Sequence, residues 1–221
     1  MRAFRTRSAA RNWTRKRARR CSRRYRCGSA PERLDALVSA FVAAGLAEWG
    51  DKTQLLVAAL AARHGRPLPI LVGVALAAAI HAAIAGFGGI LVNDWMTIRA
   101  LTLLTALALL FAGGAGLFAR KPPNILIGPR VGAFAASFAC FFIAEFGDKT
   151  QFLTFSIAAR FDSAALASLG ALAGVMAASV PAVMLGDRLV AVVPVRAIRL
   201  SAAALFLLFG IILALNALTL V

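Results

Sequence analysis

Acidic residues are scarce in this chain: nine Asp and Glu stand against 25 Lys and Arg in 221 residues, and histidine occurs twice. Charged side chains make up only 15% of the sequence, whereas a soluble domain carries about a quarter. An ordinary water-soluble domain is therefore a poor fit. Cysteine is also rare. Cys21, Cys27 and Cys140 make neither a disulfide framework nor a zinc pattern at these spacings, and Cys140, inside an apolar run, reads as a small packing residue. A phosphate-binding loop of the Walker A type is absent, which argues against an ATP-driven pump. No nucleophile–base pair and no His-rich metalloprotease motif is in view, so neither an enzyme nor a bound cofactor is expected.

The net charge of +16 resembles a nucleic-acid signal until it is located. Residues 1–33 hold 13 of the 25 basic residues and a single acid, Glu32, which leaves the remaining 188 residues at only +4. The segment 1–33 reads as a separate basic tail with no aromatic interleaving, and no nucleic-acid partner is expected. It also lacks the apolar stretch of a signal peptide. A gene start assigned too far upstream is the preferred explanation, with a targeting segment or a polybasic membrane-surface arm as alternatives.

What the body has in abundance is long apolar runs. They cover about 36–62, 68–92, 98–119, 130–159, 163–187 and 197–221, and each supplies the roughly 20 residues needed to cross about 30 Å of hydrocarbon. The expected fold is an all-α integral membrane protein with six transmembrane helices. Lys and Arg concentrate in the breaks after the first, third and fifth runs, which places both termini outside the cytoplasm. The 13 basic residues of the tail contradict that orientation.

The first and fourth runs carry charges near their centres: Glu48, Asp51 and Lys52, then Glu145, Asp148 and Lys149. Each charge costs about 2.5–3.5 kcal/mol at mid-helix on insertion scales, so these groups must be paired or face a polar cavity. They belong to a repeat. Residues 46–63 return as 143–160, with 11 of 18 positions identical, and the same offset of 97 aligns Gly73 with Gly170, Gly89 with Gly186 and Gly113 with Gly210. A three-helix unit has been duplicated. The units are read as 34–120 and 130–221, joined by a linker at 121–129. Three crossings per unit is an odd number, so the second copy is inverted relative to the first.

On a helix, residues three apart share a face, which would bring Glu48 to Asp51 and Glu145 to Asp148. Gly50 and Gly147 between them allow close backbone approach or a local break that exposes carbonyl oxygens. Thr53, Gln54, Thr150 and Gln151 add neutral oxygens one turn on. This is a hard, all-oxygen donor set that suits Mg²⁺, Ca²⁺ or Mn²⁺. The motifs hold none of the His, Cys or Met that a zinc or copper site would show.

Four carboxylates and two lysines sum to −2, a charge that one divalent cation or two protons would cancel. That is the logic of an exchanger, with the metal as transported substrate. The plainer reading is that buried Asp–Lys pairs only fix helix register, and Lys52 and Lys149 fit a structural counter-charge as well as a gating role. Two copies at inverted positions weigh against it. His81 lies mid-run and aligns with Ala178; a hydrogen-bonded packing histidine is the preferred reading over a proton relay.

At these motifs the sequence resembles the GDT family of cation:proton antiporters, found in bacteria, chloroplasts and the Golgi. The family signature, Glu-x-Gly-Asp-Lys-Thr/Ser once per half of a six-helix core, stands here at Glu48–Thr53 and Glu145–Thr150. The resemblance covers roughly 34–221 and implies exchange of Mn²⁺, and in some members Ca²⁺, for protons. It further implies that Glu48, Asp51, Glu145 and Asp148 bind the cation. The basic tail departs from the family core, and the short linker lacks the acidic stretch of some eukaryotic members. A multi-pass protein of a bacterial inner membrane that exports metal is the resulting expectation. Its partners would be the cation, protons and the lipid bilayer, and a homo-oligomer is compatible with the sequence. Glu48 and Asp51 are expected to serve one access state and Glu145 and Asp148 the other. The rival readings are a transporter of another small cation or amino acid, and a membrane scaffold that transports nothing.

Overall fold

The computed structural model describes residues 30–118 and 131–219. Nearly all of the tail and the linker read from the sequence lie outside the described residues. Among those described, every regular element is helical: α1 Ala30–Glu48, α2 Lys52–His64, α3 Pro67–Asn93, α4 Ile98–Leu117, α5 Ala133–Glu145, α6 Lys149–Phe161, α7 Ala164–Leu185, a 3₁₀ turn Gly186–Arg188, the single turn α8 Leu189–Val192, and α9 Val195–Thr219. Helix α1 begins at Ala30, inside the segment assigned to the tail.

Four helices, α3, α4, α7 and α9, are long and apolar enough to cross a membrane. The first and fourth apolar runs behave differently. Each is interrupted at its motif, so that α1 ends at Glu48 and α2 starts at Lys52, while α5 ends at Glu145 and α6 starts at Lys149. Of the two alternatives that Gly50 and Gly147 offered, the structure takes the local break, in place of one continuous helix through each motif. The cause is the glycine: Gly50 adopts φ 74° and Gly147 φ 71°, a left-handed conformation that costs other residues about 1–2 kcal/mol. Glu48 and Asp51 consequently do not share a helical face. Glu48 closes one half-helix, and Asp51, in extended conformation, opens the next.

The duplication is visible in the packing. Helix α1 lies along α7 and α5 along α3, the central helices α3 and α7 face each other, and α4 lies along α9. The contacts repeat at the offset of 97. Gly170 is pressed against Leu37 and Ala40, and Gly73 against Phe134 and Ser137, their counterparts. Likewise Gly113 meets Leu207, and Gly210 meets Leu110. Neither Gly73 nor Gly170 has room for a Cβ, so the helix backbones approach at van der Waals distance, as small residues permit between helices in lipid. Reciprocal contacts of this kind are what a pseudo-twofold axis between the halves produces.

The polarity of the body is inside-out relative to a soluble protein. Ile84, Phe87, Phe111, Leu208, Phe209 and Leu215 are exposed on outer helix faces, whereas Glu48, Asp51, Gln54, His81, Glu145 and Lys149 are buried. Outer faces of that kind suit hydrocarbon rather than water. The apolar core joins both halves and is built largely from alanine. Small side chains let the helices close tightly around the buried polar groups.

Candidate metal centre

The two breaks meet in the middle of the bundle, and each is closed in the same way. The Gly50 N–H donates to Gln54 Oε1 at 2.8 Å, and the Gly147 N–H donates to Gln151 Oε1 at 3.1 Å. The next backbone N–H groups, of Asp51 and Asp148, turn back to the carbonyls of Glu48 and Glu145 at 3.1 and 3.2 Å. With the turn secured by glutamine and backbone, neither aspartate side chain caps the half-helix it begins. Both carboxylates reach across to the other motif instead.

That crossing decides the architecture. Lys149 Nζ donates to Asp51 Oδ2, and Lys52 Nζ donates to Asp148 Oδ1 at 3.5 Å. Each lysine thus neutralises the aspartate of the opposite repeat, and Lys149 also lies 3.8 Å from Asp148 Oδ2. Glu48 accepts from Thr53 Oγ1 at 2.7 Å within its own motif and from Thr150 Oγ1 at 2.5 Å in the other. The two motifs, expected to serve alternate access states, form one cluster in this structure. The C-terminal ends of α1 and α5 and the N-terminal ends of α2 and α6 all point into it, which adds partial charges of both signs.

Glu48, Glu145 and Asp148 each offer a carboxylate oxygen within 4.8 Å of the others'. Glu48 and Glu145 are only 2% and 3% exposed. Asp51 stands outside this trio, held by Lys149. Within the trio Glu145 Oε1 is buried without a hydrogen-bond partner, as is Asp148 Oδ2. Buried carboxylate oxygens are rarely left so. Three converging carboxylates, two of them with an oxygen that no hydrogen bond satisfies, form a hard donor set that a divalent cation or protons would satisfy.

The two sides of the cluster are unequal. Around the first motif, Gly50 is buried, and a Cβ there would strike the Val195 carbonyl and Arg199 Cβ of α9. Around the second, Gly147 has open space about it and Phe146 is 73% exposed. Gly147, Asp148 and Gln151 line a groove that opens to the surface between Ile84, Phe111 and Phe155. A cavity of about 20 Å³ sits on the inner side of Glu145, walled by His81, Phe141, Thr150, Gln151 and Thr154. It has room for a single water-sized occupant.

The sequence singled out every member of the cluster except Thr154, which is buried and donates to the Thr150 carbonyl, and it ranked His81 low. His81 lines the Glu145 cavity and is bonded to Gln151. A signal was present: at the offset of 97 His81 matches Ala178, whose carbonyl accepts from Gln54 Nε2 at 3.1 Å. The glutamine of one motif finds a backbone group where that of the other finds an imidazole.

Comparison with known proteins agrees with this geometry. The family model described as "Divalent cation/proton antiporter GDT1" matches twice, over residues 36–123 and 133–220. A protein of Vibrio cholerae serotype O1 named "Putative manganese exporter" is 34% identical over 179 residues, covering 80% of this chain and 90% of the relative. No solved structure matches the chain. With the family pattern occurring once in each half and the two motifs joined at one buried acidic cluster, the chain belongs to the GDT1 family of divalent cation/proton antiporters.

Proposed function

We propose that the protein exchanges Mn²⁺ for protons and exports the metal from the cytoplasm of a bacterium across its inner membrane. The observation that carries this reading is Glu145: a buried carboxylate with one unpartnered oxygen, grouped with Glu48 and Asp148 within 4.8 Å. Paired charges that served only to hold the fold would satisfy each other, as Asp51 and Lys149 do. Glu145 is left over, and a transported cation or a proton is what would satisfy it.

In this reading Glu48, Glu145 and Asp148 bind the cation, Thr53 and Thr150 orient Glu48, and Gln54 and Gln151 hold the breaks. Asp51 completes the set when Lys149 withdraws. The −2 charge of the six ionisable groups makes cation and protons mutually exclusive occupants. The motif runs α1–α2 and α5–α6 cross the membrane as interrupted helices beside the four uninterrupted ones, giving six crossings in two inverted halves. Mn²⁺ is preferred over Ca²⁺ because the carboxylate group is small and tightly enclosed, and Ca²⁺ takes six to eight oxygens. The name of the Vibrio cholerae relative points the same way.

The test is proton movement in proteoliposomes on addition of Mn²⁺, Ca²⁺ or Mg²⁺. Metal-triggered proton release by the wild type, lost in Glu145→Gln, is the expected result, with Mn²⁺ the most effective ion. Folded, inserted protein that gives no metal-dependent proton signal would overturn the reading.

A further inference from the structure

The cluster is two-fold in sequence but not in its supports, and the difference lies in what holds each glutamine. Gln54 and Gln151 each use Oε1 to accept the glycine N–H at the break of their own motif. The amide nitrogen left over must then be anchored elsewhere. Gln54 Nε2 donates to the Ala178 carbonyl, a backbone group inside α7. Gln151 Nε2 donates to His81 Nδ1, a side chain on α3.

The imidazole is itself fixed. His81 Nε2 lies 3.1 Å from the Phe142 carbonyl, and a carbonyl can only accept, so Nε2 carries the hydrogen and Nδ1 is left as acceptor. The ring also stacks on Phe142 with centroids 4.4 Å apart. A continuous relay follows: the Phe142 carbonyl orients His81, His81 orients Gln151, and Gln151 holds the Gly147 N–H. Phe142 belongs to α5 and Gln151 to α6, so the histidine ties together the two half-helices that the break separates. Among the described residues Gln151 is the side chain that holds the Gly147 N–H, and that glycine is exposed, whereas Gly50 is buried under α9.

We propose that His81 is a positioning residue for the second motif: acting through Gln151, it fixes the Gly147 turn and with it the placement of Glu145 and Asp148 on either side. The first motif has no such residue and needs none, because a backbone carbonyl takes its place. Of the two glutamines, the one in the half that faces the open groove is anchored to a side chain, and the other to backbone.

The direct readout is hydrogen exchange at single backbone amides of the full-length protein. In His81→Ala, exchange of the Gly147 amide should quicken about three- to tenfold, the effect of one weakened hydrogen bond, while the Gly50 amide keeps its wild-type rate. In His81→Asn, whose Oδ1 falls near the position of Nδ1 and can accept from Gln151, the Gly147 rate should return most of the way to wild type. An unchanged Gly147 rate in His81→Ala overturns the proposal. Should both glycines quicken in His81→Ala, the asparagine variant decides: recovery at Gly147 supports the relay, and its failure assigns His81 to packing alone.

A second arm rests on the proposed antiport. His81→Ala should raise KM for Mn²⁺ more than it lowers kcat, and adding it to Gln151→Ala should do no further harm, since both act on one turn. Additive effects would overturn the relay. A wild type without any exchange activity would sink the antiport reading and leave the amide measurement standing.

Discussion

Asp51 and Lys149 form a buried ion pair between the two repeats, with Lys149 only 4% exposed, and the mirror pair Asp148–Lys52 is longer and partly open to solvent. Equal sequences therefore carry unequal burdens. Removing one partner of a buried pair costs about 3–5 kcal/mol, and the looser, partly buried Lys52–Asp148 pair at 3.5 Å should cost less. Lys149→Met should lower thermal stability in detergent severely, and Lys52→Met should lower it by a smaller amount. The double variant Asp51→Asn/Lys149→Met should regain part of the loss, because Asp51 is no longer stranded, while Asp148 still loses the ammonium 3.8 Å from its Oδ2.

Glu145 should behave in the opposite sense. It is buried, carries an unpartnered oxygen and lies close to Glu48 and Asp148. Glu145→Gln removes a buried charge that has no direct ion pair among the described residues, so the variant should be more stable by about 0.5–2 kcal/mol while losing transport. Thermal unfolding and metal-driven proton release on the same preparation test this. A variant that is inactive and also less stable would place Glu145 in the structural framework.

The two turn glycines supply a further contrast. Both adopt positive φ, so alanine at either costs about 1–2 kcal/mol in backbone strain. At Gly50 the new methyl would also meet the Val195 carbonyl and Arg199, while at Gly147 it meets nothing. Gly50→Ala should therefore be the more damaging, measured as the drop in melting temperature. Equal damage would mean that α9 does not seat against the first motif in the membrane.

Access to the cluster should be one-sided. Phe146 is exposed beside the groove that reaches Asp148, while Trp49 is partly buried under α9. A small, uncharged thiol reagent that partitions into the bilayer should label Phe146→Cys faster than Trp49→Cys. Buried Cys140 is a slow internal reference. Equal labelling of both engineered thiols would contradict a groove open on one side only.

The doubled motif and the offset of 97 were legible from residues alone, because each depends on identity and spacing. The crosswise pairing of Asp51 with Lys149 was not. The rule that residues three apart share a face assumes an unbroken helix, and Gly50 and Gly147 end that assumption at the very positions where it was applied. Once the helix stops at Glu48, the aspartate side chain is turned toward the other repeat, which local spacing cannot encode. The role of the glutamines was missed for a related reason: an amide counted as a spare oxygen proved to be the clasp of the turn. Hydropathy alone finds four of the six apolar runs as uninterrupted helices, since in the other two the breaks and charges that make the cluster also divide the run.

Glu48 holds both motif threonines, Thr53 and Thr150, and Glu145 holds neither. A duplicated sequence that folds unequally has a second way of being unequal, in which the halves trade parts: Glu145 gathers the hydroxyls and the other flank lies bare. Between matched halves those two forms would be degenerate, like the two hands of one object. What breaks the tie is found among the many positions where the copies have drifted apart, such as His81 opposite Ala178 and Arg199 opposite Thr102. The resting preference of the molecule is thus written in its mismatches, and the matched residues are what keep the trade affordable.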